Sequence, residues 1–282
     1  MTQTPVFHKS IPSMNSQLDI VLWGIDDSLS TQIIHDISEE MMKLVKIINK
    51  YDPEAELYKI NESALYKEVI LSETLWEIIK TGNEFYEKTL GYFDISLGSS
   101  FMKLKNKEPL AQTSHQSFHK RVHLNDKKRG IAFLNMDVNI DLGGMGKGLA
   151  LEKIGEILKN NNVDNVMVNF GGSSIMTRGH HPHGDHWPVS LAGRIQSGRV
   201  WKMKNDCLSI SSNQWANDHQ TSDHILDPMK NNLSDSKKTA VVLAKSAIQA
   251  EVLSTALIAA PETMHKKIVN KFDNINFELL VK

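Results

Sequence analysis

The stretch NIDLGGMGKGLALEKIGEILKNNN, residues 139–162, sets four glycines into the six positions from Gly143 to Gly148, brackets them with Asp141 and Lys147, and continues into a helical pattern. Glycine has no Cβ, so such a run permits positive φ and lets a ligand approach the backbone. Leu149, Leu151, Ile154, Ile157 and Leu158 recur at helical spacing with lysine and glutamate on the other face, which predicts a turn feeding a helix N-terminus. A helix N-terminus attracts anions, and Lys147 adds a full positive charge beside it. Phosphate is the anion this suggests. The nucleotide fingerprints are missing, however: a P-loop needs Ser or Thr after its lysine, where this chain has Gly148, and no GxGxxG occurs in the stretch. A glycine-rich strand-to-helix turn that binds nothing is the alternative, and the stretch alone leaves both open.

Outward from this turn, LDIVLW (18–23) reads as a strand and residues 30–49 as an amphipathic helix carrying Ile33, Ile34, Ile37, Met41, Leu44, Val45 and Ile48. A second helix is predicted over 72–89, before the turn LGYFDISLGSS. YDPEAELYKIN (51–61) has the chemistry of a capped turn entering a short helix, and Asp94 in YFDIS could cap the next element. From 103 to 129 the chain is polar and lacks periodicity, the pattern of an irregular insertion. Strands are predicted at IAFLNMDVNIDL, NVMVNF, WPVSLAG, DCLSISS and TAVVLA, and a helix at AIQAEVLSTALIAA. Strands and helices mix without strict βαβ alternation, so the fold class is α+β and layered. No internal repeat or linker divides residues 1–282, which predicts one domain.

With 282 residues and 40% hydrophobic content the chain can bury a substantial core. Its 32 basic and 33 acidic side chains nearly cancel, and no basic run interleaved with aromatics tracks a nucleic-acid backbone, so no nucleic-acid partner is expected. Cys207 is the only cysteine, which excludes an internal disulfide framework and multi-thiolate metal sites and fits a reducing compartment. There is no signal-peptide pattern and no apolar run long enough to span a bilayer, so the expectation is a cytoplasmic protein without membrane insertion.

Several residues carry potential chemistry. In AEVLSTAL, Glu251 and Thr255 stand four apart and share a helix face. They are hard oxygen donors of the kind Mg²⁺ uses together with waters and phosphates, although a solvent-facing glutamate and a threonine bonded back to its own helix would read the same way. His224, three residues before Asp227 in DHILDP, can act near neutral pH as acid, base or phosphate contact, or be a structural histidine. GHHPHGDHW offers His180, His181, His183, Asp185 and His186, but its glycines and proline favour a loop without preorganised metal geometry.

Taken in order, Met14 in SMNS, YDPEAELYKIN, TLGYFDISLGS, NIDLGGMGKG, NVMVNFGG, HILDP and AEVLSTAL resemble the FAD:protein FMN transferase family, also called ApbE-like, over nearly the whole chain. The resemblance implies a mixed or antiparallel sheet with flanking helices. It implies FAD as substrate and Mg²⁺-dependent transfer of FMN to a Thr or Ser hydroxyl of an acceptor protein, with release of AMP. Residue by residue, Asp141 and Lys147 would contact FAD; Met14, Tyr51, Asp94, Ser96 and Ile225 would line the flavin or adenine pocket. Gly144, Glu251, Thr255 and Ser254 would form the metal site, His224 and Glu251 would be catalytic, and Asn61 would lie near the metal region. The chain departs from the family pattern at four places. Ala250-Glu251 stands for Ala-Asp, Gly171-Gly172-Ser173 for Gly-Gly-Asp, DPMKN for Asp-Pro-x-Thr-Gly, and Ser212-Asn213 for Ser-Gly. Two other readings therefore stand beside the transferase: an FAD-binding protein of the same fold without transfer activity, and an FAD pyrophosphatase giving FMN and AMP.

Overall fold

A computed structural model describes residues 5–108, 116–190, 199–213 and 225–281. In chain order the elements are β1 (Val6–Ser13), β2 (Ser16–Trp23), α1 (Asp27–Ile48), α2 (Glu56–Ser63), β3 (Val69–Ile70), α3 (Glu73–Lys88), α4 (Gly98–Lys105) and α5 (Phe118–Arg121). Then follow β4 (Val122–Asn125), β5 (Gly130–Phe133), α6 (Gly146–Asn160), β6 (Val166–Phe170), β7 (Ser174–Arg178), β8 (Trp187–Ser190), β9 (Val200–Met203) and β10 (Cys207–Ser212). The last are β11 (Leu226–Asp227), β12 (Asn232–Leu233), β13 (Lys238–Ala244), α7 (Ala247–Ala259), α8 (Glu262–Val269) and β14 (Asn276–Val281).

The central sheet has seven strands in the order β1-β2-β6-β7-β10-β13-β14, every neighbouring pair antiparallel. The α+β class with a layered antiparallel sheet is thus observed. Alternation along the strands sorts two cores. Leu18, Ile20 and Leu22 of β2, Val166, Val168 and Phe170 of β6, and Ala240, Val242 and Ala244 of β13 enter the helix-side cluster, which runs from Leu18 to Phe272. Ile175, Leu208, Ile210 and Val241 point the other way and pack under the β8–β9 hairpin through Trp187, Val189, Trp201 and Met203. Among the described residues no helix is long and apolar enough to cross a membrane.

The structure adds one strand that the sequence left unassigned and corrects two expectations. VFHKSIPS, unassigned from sequence, is the edge strand β1, joined to β2 through Met14 and Asn15 at φ 48° and 54°, a turn whose twist matches that of the flanking strands. The insertion is less irregular than its composition suggests: residues 118–125 form α5 and β4, which pairs with β5, while 109–115 lie outside the described residues. The long strand expected over 131–142 stops at Phe133, because Asn139 and Asp141 pair elsewhere, Asn139 with Leu97 in a parallel bridge and Asp141 N with Ile95 O.

The start of α6 crosses the start of α7, bringing two positive helix ends together. Each is met by an acid from the other: Glu152 of α6 accepts from Ser246 Oγ at 2.7 Å and Ala247 N at 2.8 Å, and Glu251 of α7 accepts from Gly148 N at 2.7 Å. The reciprocal carboxylates offset the dipole repulsion the crossing would otherwise cost.

Candidate active site

A cavity of about 440 Å³ opens beside this crossing. Tyr51, Asp94, Asp141, Gly144, Lys147, Ile225, Glu251 and Thr255 all line it, so residues spread over some two hundred positions meet at one place. Phe93, Tyr92 and Phe101 add aromatic wall that the sequence did not single out. Tyr92 is held above the usual phenol range by burial and then by the Asp227 carboxylate, and so stays protonated.

Backbone pairing aligns two of the motifs. Asp141 N donates to Ile95 O at 2.7 Å and Gly98 N to Asn139 O at 2.9 Å, zipping YFDISLGS to NIDLGG. Asn61 locks the same segment from α2: its Nδ2 donates to Ile140 O at 3.0 Å and its Oδ1 accepts from Ile140 N at 2.8 Å. Asn61 therefore sets the register of the turn through Ile140. Asp141 closes the turn by accepting from Gly143 N at 2.8 Å, and its other oxygen accepts from Lys50 Nζ at 2.6 Å. Lys50 is buried at 8% side-chain exposure and was not singled out in the sequence, where it is one more lysine at the end of a polar helix face.

The glycine run has a different explanation from the one its sequence suggests. None of its four glycines has positive φ; within the described residues that conformation falls on Gly24, Gly91, Gly171, Gly172 and Gly179. Gly148 is needed because a Cβ there would sit 2.7 Å from Ile248 Cα, at the crossing of α6 and α7. Gly144 lies against the Phe93 ring, where a Cβ would come within 2.9 Å. The expected helix N-terminus is present, but the anion on Gly148 N is the chain's own Glu251.

Glu251 is 5% exposed, so the solvent-facing alternative for this helix is overturned. Its Oε2 accepts from Gly148 N, its Oε1 from Ser174 Oγ at 2.5 Å, and Lys147 Nζ lies 3.6 Å from Oε1 while also donating to Ser173 Oγ. Strand alternation supplies these serines: Ser174, Ser209 and Ser211 point to the helix side, opposite Ile175, Leu208 and Ile210. Thr255 does reach the cavity, with Oγ1 3.4 Å from Ser211 Oγ. Ser254 does not line it; fully buried, it donates to Glu251 O at 3.0 Å and bonds Ser209 and Ser211.

Asp94, with no exposed side-chain surface, accepts from Ser96 N at 2.8 Å, from Ser96 Oγ at 2.7 Å and from Arg121. It thus closes a local turn rather than capping α4. Ser96 is buried behind the wall, and Arg121, from α5, donates to it as well at 3.1 Å. Each acid of the wall consequently has its own cation: Asp94 with Arg121, Asp141 with Lys50, Glu251 with Lys147. Behind Tyr92, Asp227 is paired in the same way with Lys230 at 3.3 Å.

Met14 is not brought to the cavity lining; it sits at the β1–β2 turn, half-buried against the core. His224 lies outside the described residues, though its neighbour Ile225 lines the cavity. In DPMKN, Asp227 accepts from Met229 N at 3.0 Å and Lys230 N at 3.3 Å, and Asn231 takes φ 49°, a left-handed position that asparagine tolerates in place of glycine. The histidine-rich loop spends its polar atoms locally: His186 Nδ1 lies 2.5 Å from Asp185 Oδ1, whose pKa this bond lowers, and among the described residues no group of three or more metal-binding side chains forms.

Glu251, Thr255 and Gly144 border the cavity with hard oxygens, the donor class that Mg²⁺ takes together with phosphates, and Glu251 keeps acceptor capacity beyond its two hydrogen bonds.

A family model described as ApbE family matches residues 14–278. The chain is 26% identical over 247 residues to an FAD:protein FMN transferase of Chlamydia muridarum, covering 82% of this chain and 76% of the relative. It is 21% identical over 270 residues to the FAD:protein FMN transferase of Escherichia coli K12, with 88% and 76% covered. Among solved structures, flavin transferase ApbE from Vibrio cholerae superposes with a TM-score of 0.80 at 18% identity, covering 99% of this chain and 94% of that one. Pseudomonas stutzeri flavinyl transferase ApbE, apo form, gives 0.83 at 16%, with 100% and 93% covered.

Proposed function

Since the chain belongs to the ApbE family, we propose that it is an FAD:protein FMN transferase that moves FMN from FAD to a Thr or Ser hydroxyl of an acceptor protein and releases AMP. The single observation that carries this reading is the convergence of Asp141, Lys147, Glu251 and Thr255 on one cavity with an aromatic wall.

In this reaction the acceptor oxygen forms a bond to the FMN phosphorus, the bond from that phosphorus to the bridging oxygen breaks, and AMP departs with that oxygen. Catalysis of such a transfer is chiefly positioning and charge stabilisation. Tyr51, Phe93 and Ile225 supply apolar surface for the rings of FAD. Lys147, on the wall and partly exposed, neutralises charge on the pyrophosphate oxygens. His224 takes the hydroxyl proton. Glu251, Thr255 and Gly144 would hold Mg²⁺, with Ser254 supporting Glu251 from behind. When bound, the ion would neutralise phosphate charge and raise the electrophilicity of phosphorus.

The charge balance of the wall supports a paired loading. With its acids already matched by cations, the protein offers neither a net anion to a free divalent ion nor a net cation to a free pyrophosphate, whereas an ion and a pyrophosphate together cancel. A cytoplasmic location belongs to the same proposal and rests on composition. The test is to incubate the chain with FAD, with and without Mg²⁺, and follow AMP release and in-gel flavin fluorescence of an added flavoprotein subunit bearing a Ser/Thr acceptor. Mg²⁺-dependent AMP release with covalent flavin on the subunit is expected. AMP release without covalent flavin, at equal rates with and without the subunit, would identify a pyrophosphatase. FAD binding without AMP would identify a flavin-binding protein.

A further inference from the structure

We propose that Arg121 is a positioning residue of the FAD site, acting through Asp94; this rests on the FAD reading above. Arg121 is the first arginine of the chain and comes from the polar insertion, none of whose described residues lines the cavity. It is 6% exposed, and its guanidinium bridges Asp94 and Ser96, so two residues of the YFDIS turn are held by one fork. Asp94 in turn receives the backbone N–H and hydroxyl of Ser96 on its other oxygen.

The geometry gives the arginine two tasks. Among the described residues it is the only cation bonded to this carboxylate, which is wholly removed from solvent, and a buried carboxylate deprived of its partner either takes up a proton or opens its surroundings to water. It also stiffens a turn whose backbone is zipped to the segment carrying Asp141, through Ile95 with Asp141 and Gly98 with Asn139. Held in this state, the Asp94 carboxylate is withdrawn from solvent and commits both oxygens to Ser96 and Arg121, which fixes the turn that borders the cavity. The insertion is thereby tied to substrate binding by one side chain.

The experiment is a double-mutant cycle with FAD as the probe, read by quenching of flavin fluorescence in the presence of Mg²⁺, on the full chain with Arg121→Met, Asp94→Asn and both. Arg121→Met is expected to weaken FAD binding by roughly tenfold or more, because it leaves the buried acid unpaired. In the Asp94→Asn background, the same change is expected to cost less than about threefold, since no charge remains to be neutralised. If Arg121→Met does not melt cooperatively, Arg121→Lys, which keeps the charge and loses the fork, carries the same cycle. FAD affinity indifferent to position 121, or equal losses in both backgrounds, would overturn the proposal. A wild-type chain that binds no FAD would overturn the reading of the previous subsection and this proposal with it, whereas one that binds FAD and ignores Arg121 overturns this proposal alone.

Discussion

Gly148 and Gly155 lie two turns apart on α6, and replacing each by alanine should move stability in opposite directions. Both changes gain helix propensity, about 1 kcal/mol each. At Gly155 the new methyl meets only Met176 Sδ at 3.4 Å, an ordinary contact with a flexible side chain, so Gly155→Ala should stabilise by close to that amount. At Gly148 the methyl would lie 2.7 Å from Ile248 Cα and 3.0 Å from Ala247 O, both backbone, so α6 and α7 must part by about 1 Å to reach a normal carbon contact. Overpacking of this kind costs about 1 to 3 kcal/mol. The same separation stretches the 2.7 Å bond from Gly148 N to Glu251 beyond hydrogen-bonding range, a further loss of about 1.5 to 3 kcal/mol. Net of propensity, Gly148→Ala should destabilise by roughly 2 to 5 kcal/mol. Urea unfolding followed by circular dichroism gives the midpoints, and FAD titration of the folded variants gives the site. If Gly148→Ala proved as stable as Gly155→Ala while losing FAD, the glycine would be serving ligand approach and the helix crossing would not explain it.

Asn61→Leu should cost about 2 to 4 kcal/mol, because it leaves the N–H and C=O of buried Ile140 unpaired, and it should weaken FAD binding through the displaced turn; urea midpoints and FAD titration read the two effects separately. Glu152→Gln should lower stability by about 1 kcal/mol without changing FAD affinity, since it softens the α7 end of the helix clasp away from the cavity; the same measurements check it. Mg²⁺ and FAD should each tighten the other by the same factor, roughly tenfold, as linkage requires, measured by calorimetric titration of either ligand with the other absent and saturating. Cys207, pushed up to about 12 chiefly by burial, stays protonated in the folded chain while its unfolded form ionises near the ordinary thiol value. Its contribution to stability is therefore complete below about pH 8.5 and is lost as pH rises toward the folded value, by about 1.4 kcal/mol per unit. Cys207→Ala should remove about that slope from the pH dependence of the stability measured by urea unfolding between pH 9 and 11.

Amphipathic periodicity made α1, α3 and α6 readable, since apolar side chains at helical spacing have one way to leave water, and the same holds for the buried strands β2, β6, β10 and β13. β1 is an exposed edge with lysine, histidine and proline, so it carries no apolar alternation to read. The ordered motifs were enough to gather Tyr51, Asp94, Asp141, Lys147, Glu251 and Thr255 as candidates. What each does there was not legible, because its partners are distant in the chain. Lys50 meets Asp141 across 91 positions, Gly148 meets Glu251 across 103, and Arg121 meets Asp94 across 27 from a stretch with no pattern. Local sequence fixes which side chains carry charge and which backbone segments can be helix or strand. Only the packed chain decides which charges are removed from water and must find each other, since that cost arises on burial and depends on elements the local sequence does not contain.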